Sequence, residues 1–139
     1  MVTNNYELLI NAPLSKVWET LTDSKLNKAW MKNIVVETDW QAGSPIKYTC
    51  LNADGSVMQW QGKAMIWEGI IETITPMSEF TCIYPSQRTG IIKESYLLKN
   101  NHNQTVLQMV QDCVSDAVAT GYKDGTQESL EMLKRYLQG

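Results

Sequence analysis

The sequence predicts an α+β fold, an antiparallel sheet of about six or seven strands curved around one long C-terminal helix. Three observations carry this. Asp116 to Leu137 repeats with the helical period. Residues 32–113 read instead as a run of about six strands, with period-two alternation and turn-forming residues between. One strand and two short helices precede that run. Strands grouped together and then followed by a helix build an antiparallel sheet.

Residues 3–10 alternate, Tyr6, Leu8 and Ile10 on one side and Asn5 and Glu7 on the other, which is a half-buried strand. Asn11-Ala12-Pro13 ends it, and Pro13 suits the first turn of a helix. Leu14, Val17, Trp18 and Leu21 then share one helical face. Thr22-Asp23-Ser24 breaks that helix and caps a second, whose inner face is Leu26, Ala29 and Trp30. Trp18 and Trp30 are expected to pin both helices to the sheet.

Strands follow at Asn33 to Thr38 and at Ile46 to Leu51, separated by the turn 40–45. Between Leu51 and Ala64, Asp54-Gly55 and Gln61-Gly62 each have hairpin chemistry, and the sequence does not choose between them. Ala64 to Thr75 reads as one long strand with a bulge near Glu72, where the inward parity shifts between Ile71 and Ile74. Phe80, Cys82 and Tyr84 share a face of the next strand. Pro85 to Gly90 is a polar loop carrying Arg88. Ile91 to Leu98 and Thr105 to Cys113 form the clearest hairpin, joined by residues 99–104.

In the final helix Tyr122, Thr126, Leu130, Leu133 and Leu137 line one face, with Glu128, Glu131, Lys134, Arg135 and Gln138 largely opposite. The second half of that face is thick with leucine. The first half carries Ala117, Ala119, Gly121, Gly125, Thr126 and Ser129. Two helical glycines cost roughly 1 kcal/mol each relative to alanine. Either something approaches the helix closely there, or space is left open, or the helix begins only after Gly125. The favoured reading has the thick end sealing a core and the thin end roofing a cavity.

A chain of 139 residues, 43% apolar and 19% charged, is expected to be one globular domain, 1–139. Net charge is −3 and no Lys/Arg run exists, so no nucleic-acid partner is expected. The apolar runs are too short for a membrane span, and the first residues lack the pattern of a signal peptide, so the location expected is cytoplasmic. Cys50, Cys82 and Cys113 sit far apart in strand-like contexts and read as small buried hydrophobes without a disulfide or metal.

Little chemistry is legible. His102, the single histidine, lies in the turn-like Asn100-Asn101-His102-Asn103, which argues against histidine-based triads and zinc sites. No dinucleotide or phosphate-loop pattern occurs, and no cofactor, metal site or catalytic residue is assigned. Glu68, Glu72 and Glu94 are expected on the solvent face; a buried one would have a raised pKa and act as acid or base. Trp67, Tyr84, Tyr96 and Tyr122 fit an aromatic lining with polar tips, or ordinary core packing. Gln111 is polar on the apolar face of Thr105, Leu107, Met109 and Cys113 and needs a partner, such as a ligand or a water. The candidate ligand-binding set is Trp67, Tyr84, Tyr96, Met109, Gln111, Tyr122, Gly125, Thr126 and Ser129.

Ile10-Asn11-Ala12-Pro13 with Val17-Trp18, Leu21-Thr22-Asp23 and Trp30 resembles the opening signature of the START/SRPBCC superfamily. Trp40 to Ile46, then Glu68-Gly69-Ile70-Ile71-Glu72 with Pro76, resemble its next two. Thr105-Val106-Leu107 with Gln111, and Leu130, Leu133 and Leu137, resemble its close. The nearest branch is named after the activator of the ninety-kilodalton heat-shock chaperone's ATPase. The resemblance implies a helix-grip fold with an apolar cavity between sheet and helix. That branch often has a Gly-Trp pair early in the last helix; here Thr126 follows Gly125 and the aromatic is Tyr122, which implies a cavity of different shape.

Fold does not choose among the superfamily's functions. Three remain open. The first is binding of a small apolar or amphipathic molecule (lipid-, polyketide- or aromatic-like). The second is a cyclase or dehydratase using a cavity carboxylate or tyrosine. The third is a cochaperone-like protein-binding domain, disfavoured because chaperone activators carry a further N-terminal domain for which this chain has no room. A homodimer is a possible assembly.

Overall fold

The computed structural model describes residues 1–31 and 33–139. Strand β1 (Val2–Ile10) leads into helices α1 (Leu14–Leu21) and α2 (Ser24–Met31). Strands β2 (Ile34–Glu37) and β3 (Pro45–Cys50) follow, then the short pair β4 (Gln59–Trp60) and β5 (Lys63–Ala64). Strands β6 (Ile66–Thr75), β7 (Glu79–Ile83), β8 (Ile91–Asn101) and β9 (Gln104–Cys113) precede helix α3 (Asp116–Gln138). Seven strands pair in the order β1-β9-β8-β7-β6-β3-β2, every pairing antiparallel, and β4-β5 stands apart. This is the α+β helix-grip arrangement expected.

The alternation read in β9 is complete: Thr105, Leu107, Met109, Gln111 and Cys113 are all buried, and the residues between them only partly so. Facing them, α3 buries Leu130, Leu133 and Leu137, with Leu133 fully enclosed. These leucines join Leu8, Ile10, Val17, Leu21, Trp30 and Leu107 in one core. A second cluster, of Val36, Ile46, Ile71, Phe80, Cys82 and Tyr84, spreads over the other side of the sheet's inner face. Trp18 packs against both clusters, so the expected pinning role is met.

Ser115 caps α3, its side chain accepting from the Val118 N–H at 3.3 Å, so the helix includes both Gly121 and Gly125. A Cβ added at either glycine would meet nothing within 4 Å. Open space, not close approach, explains them.

Several local expectations change. Both competing turns exist: Gly55 (φ +89°) turns the segment joining Leu51 to Val57, and Gln61-Gly62 (φ +50° and +77°) closes β4-β5. The expected long strand from Ala64 is therefore divided at Met65, while its bulge falls between Ile71 and Thr73 as predicted. The β8-β9 connection shrinks from six residues to His102-Asn103, both at positive φ (50° and 67°), the geometry of a two-residue hairpin. In α2, Ala29 faces outward and Asn27 inward, because Asn27 Nδ2 donates to the Thr20 and Leu21 carbonyls at 3.0 and 3.2 Å at the end of α1. Pro13 stands at the N-cap of α1. The three cysteines are unbridged, Cys82 and Cys113 buried and Cys50 half-buried.

Candidate functional site

The thin half of α3 lies over a cavity of about 240 Å³. Its floor is the sheet: Tyr48 from β3, Trp67 from β6, Phe80 and Cys82 from β7, Glu94 and Tyr96 from β8, and Met109 from β9. Trp30 and Met31 of α2 form one wall, and Thr126, Ser129 and Met132 of α3 form another. Ser129 is exposed and yet lines the cavity, which places the mouth beside it. Gly125 lies one turn earlier on that side of the helix.

The aromatic rings are fixed by one another. Tyr48 stacks on Trp67 with centroids 5.2 Å apart, Phe80 on Tyr96 at 6.3 Å, and Trp40 tilts against Phe80 at 5.5 Å. Gly69 makes the arrangement feasible, because a Cβ there would stand 2.7 Å from the Tyr84 ring and from the Ile83 carbonyl. Tyr84 lies over the bare glycine backbone and is 4% exposed.

Among the described residues Glu94 is the one acid in this wall. It accepts from Gln111 Nε2 at 2.9 Å on one oxygen and from the Tyr84 hydroxyl at 3.3 Å on the other. Burial pushes its pKa above the ordinary carboxylate value; the Gln111 and Tyr84 hydrogen bonds oppose the shift without cancelling it. Burial also raises the Tyr48, Tyr84 and Tyr96 phenols, and it pushes the Cys82 thiol up to about 12. These groups stay protonated at neutral pH, so Cys82 is not a thiolate nucleophile.

Gln111 completes a polar seam. Its Nε2 also donates to Thr126 Oγ1 at 3.2 Å, and its Oε1 accepts from the Tyr6 hydroxyl and from Asn4 Nδ2, each at 3.2 Å. Asn4 donates in turn to the Ala119 carbonyl at 2.9 Å. The partners that this buried amide needs are thus all supplied by protein side chains.

The nine residues of the expected set separate into groups. Trp67, Tyr84, Tyr96, Met109, Thr126 and Ser129 come together around the cavity. Gln111 stands behind it, orienting Glu94. Tyr122 faces a second cavity, of about 370 Å³, with Trp60, Trp67 and Arg88, and its hydroxyl ties α3 to the Thr89 carbonyl at 2.8 Å. Gly125 lines neither cavity and sits at the rim. Glu68 and Glu72 are on the solvent face as expected, but Glu94 is not. The missed signal was parity: Glu94 shares its strand face with Tyr96 and Leu98, whereas Lys93 is on the other face and pairs with Glu72 at 3.0 Å. His102 is exposed in its turn.

A family model described as "Activator of Hsp90 ATPase homolog 1-like protein" matches residues 11–138. The chain belongs to this family. The family is part of the SRPBCC superfamily, and the matched span includes every residue that lines the cavity. Among solved structures, a protein from Cytophaga hutchinsonii is 23% identical, with TM-score 0.75 over 99% of this chain and 94% of that one. The Aha1 dimer from Colwellia psychrerythraea is 21% identical, with TM-score 0.73 over 99% and 97%. An AHSA1-like protein from Aeromonas hydrophila is 16% identical, with TM-score 0.77 over 97% and 91%. At these identities the likeness shows the fold. No curated protein matches the chain significantly. Among the described residues, no helix is long and apolar enough to cross a membrane.

Proposed function

We propose that the chain binds a small apolar or amphipathic molecule in the cavity between the sheet and α3. The observation that carries this is the cavity itself, about 240 Å³ walled mainly by aromatic and aliphatic side chains with one placed carboxylate. That volume lies between a benzene-sized void of about 150 Å³ and the roughly 300–1,000 Å³ of drug-sized pockets. A ligand of one or two rings suits it. Ser129→Trp is the test, since a bulky side chain at the mouth should plug the cavity from an exposed helix position. Thermal-shift and NMR titrations with benzene, indole and naphthalene should show binding to the parent and none to the variant, at unchanged melting temperature. Failure of the parent to bind any of the three, or equal binding by both proteins, overturns the proposal.

The enzyme reading is second, and Glu94 favours it. A carboxyl with a raised pKa, held by Gln111 beside Tyr84, is placed to give or take a proton. It requires that Glu94→Gln abolish turnover of a cyclisable substrate while binding survives. A cochaperone-like role rests on the family's description. Homodimerisation is supported by the dimeric Colwellia relative, and sedimentation of the purified chain checks it. A cytoplasmic location is supported by the three unbridged thiols.

A further inference from the structure

Resting on that ligand-site reading, we infer that the occupant of the aromatic-walled cavity between the sheet and α3 is a small organic cation, an ammonium on a compact apolar body, with its charge held between Glu94 and the aromatic wall. Three observations converge. Trp40, Tyr48, Trp67, Phe80, Tyr84 and Tyr96 line one space with the Glu94 carboxylate. Ring faces attract cations through their quadrupoles, most strongly where water is excluded. Second, among the described residues no Lys, Arg or His lines that space, and the neighbouring Lys93 is engaged with Glu72 outside. Third, Glu94 receives only two neutral donors, Gln111 and Tyr84. A carboxylate has about four acceptor positions, so capacity remains, and among the described residues no positive charge offsets its burial. A bound cation supplies what the protein withholds. An anion would meet the carboxylate and the negative ring faces, and a neutral ligand would gain nothing from charge.

The groups near Glu94 on the elements packed around it are Tyr6 of β1, Tyr48 of β3, Cys82 of β7 with Tyr84 just beyond it, Tyr96 of β8, Gln111 and Cys113 of β9, and Tyr122 of α3, with Thr126 reaching it through Gln111. The phenols and thiols among them are all shifted upward by burial. Within this group Glu94 is the one carboxyl, and its pKa is raised by burial. A quaternary ammonium does not titrate, so the pH dependence of its binding reports Glu94.

The test compares benzyltrimethylammonium with neopentylbenzene, its uncharged isostere, by NMR titration of the parent and of Glu94→Gln. The parent should prefer the cation by ~10-fold, the range of a desolvated cation–π contact. The preference should vanish in Glu94→Gln, while neopentylbenzene binds both proteins alike. On the parent, cation affinity should fall as pH drops through the raised Glu94 pKa, and neopentylbenzene affinity should not. That second series needs no variant and stands if Glu94→Gln fails to fold. Equal or tighter binding of neopentylbenzene, or a cation preference that survives Glu94→Gln or acid, overturns the inference and leaves the ligand site standing. If neither probe binds the parent, the inference falls, and the ligand-site reading falls with it once benzene, indole and naphthalene fail as well.

Discussion

The two halves of α3 use one helical period for opposite ends. The C-terminal half presents Leu130, Leu133 and Leu137 to a core shared with β1, β9 and the short helices, and the space between is filled. The N-terminal half presents Thr126 and Ser129 to a floor of aromatic rings, and the space between stays open. The sheet beneath is continuous across both. What differs on the helix is side-chain volume, and the small residues leave open the space that the leucines fill.

Truncation should separate the halves most sharply. Leu133→Ala leaves a void in the filled half and should cost about 2–5 kcal/mol in urea denaturation. Ser129→Ala removes only a hydroxyl at the exposed mouth of space already open, so its effect should be much smaller. Equal losses at the two positions would mean that both halves are packed alike.

Gly69→Ala strikes the floor of the open half. The new Cβ would stand 2.7 Å from the Tyr84 ring and the Ile83 carbonyl. Overpacking of this kind costs roughly 1–3 kcal/mol, and displacing Tyr84 also weakens its hydrogen bond to Glu94. A variant as stable as the parent, with unchanged Tyr84 resonances, would show that the ring is not wedged over Gly69.

Glu94 gives the open half a pH signature that the filled half lacks. Its folded pKa is raised, so the folded state holds the proton over a range where the unfolded chain has released it. The contribution to stability is full below the unfolded carboxylate value, near ~4.3, and is lost as pH rises through the folded pKa. Glu94→Gln should therefore gain on the parent as pH rises across that window and show a constant offset above it. A difference independent of pH would remove Glu94 from the list of buried acids.

Much of this was legible beforehand because periodicity reports which face is buried. The leucines of α3, the alternation of β9 and the bulge after Ile71 all follow from it. Glu94 was missed because a single strand does not say which of its faces is inward when aromatic and charged residues share that face; the β8-β9 register, Glu94 opposite Gln111, decides it. Gln111 was singled out correctly as a buried polar group in need of partners. Its partners come from β1, β8 and α3, which no local pattern could assemble. The hairpin at His102-Asn103 was read too long because positive φ at two non-glycine residues leaves only a weak trace in sequence.

The smallest effect sharpens the comparison most directly. Gly125 sits in the middle of a regular helix, where glycine is unfavourable by roughly 0.8–1.0 kcal/mol relative to alanine, and leucine is close to alanine. Nothing lies within 4 Å of a Cβ built there, so Gly125→Leu gains helix propensity without a clash at that atom. A side chain there leans back toward Gly121 over open space. Stability should hold or rise by up to about 1 kcal/mol. The same change at a packed position of the helix, Ala119, which is 3% exposed, should instead cost roughly 1–3 kcal/mol through overpacking. Melting curves of Gly125→Leu and Ala119→Leu, with and without a small aromatic probe, therefore move in opposite directions if the thin half roofs an opening. If Gly125→Leu destabilises as Ala119→Leu does, and the parent binds no probe, the small residues are a packing device and the cavity is not a site.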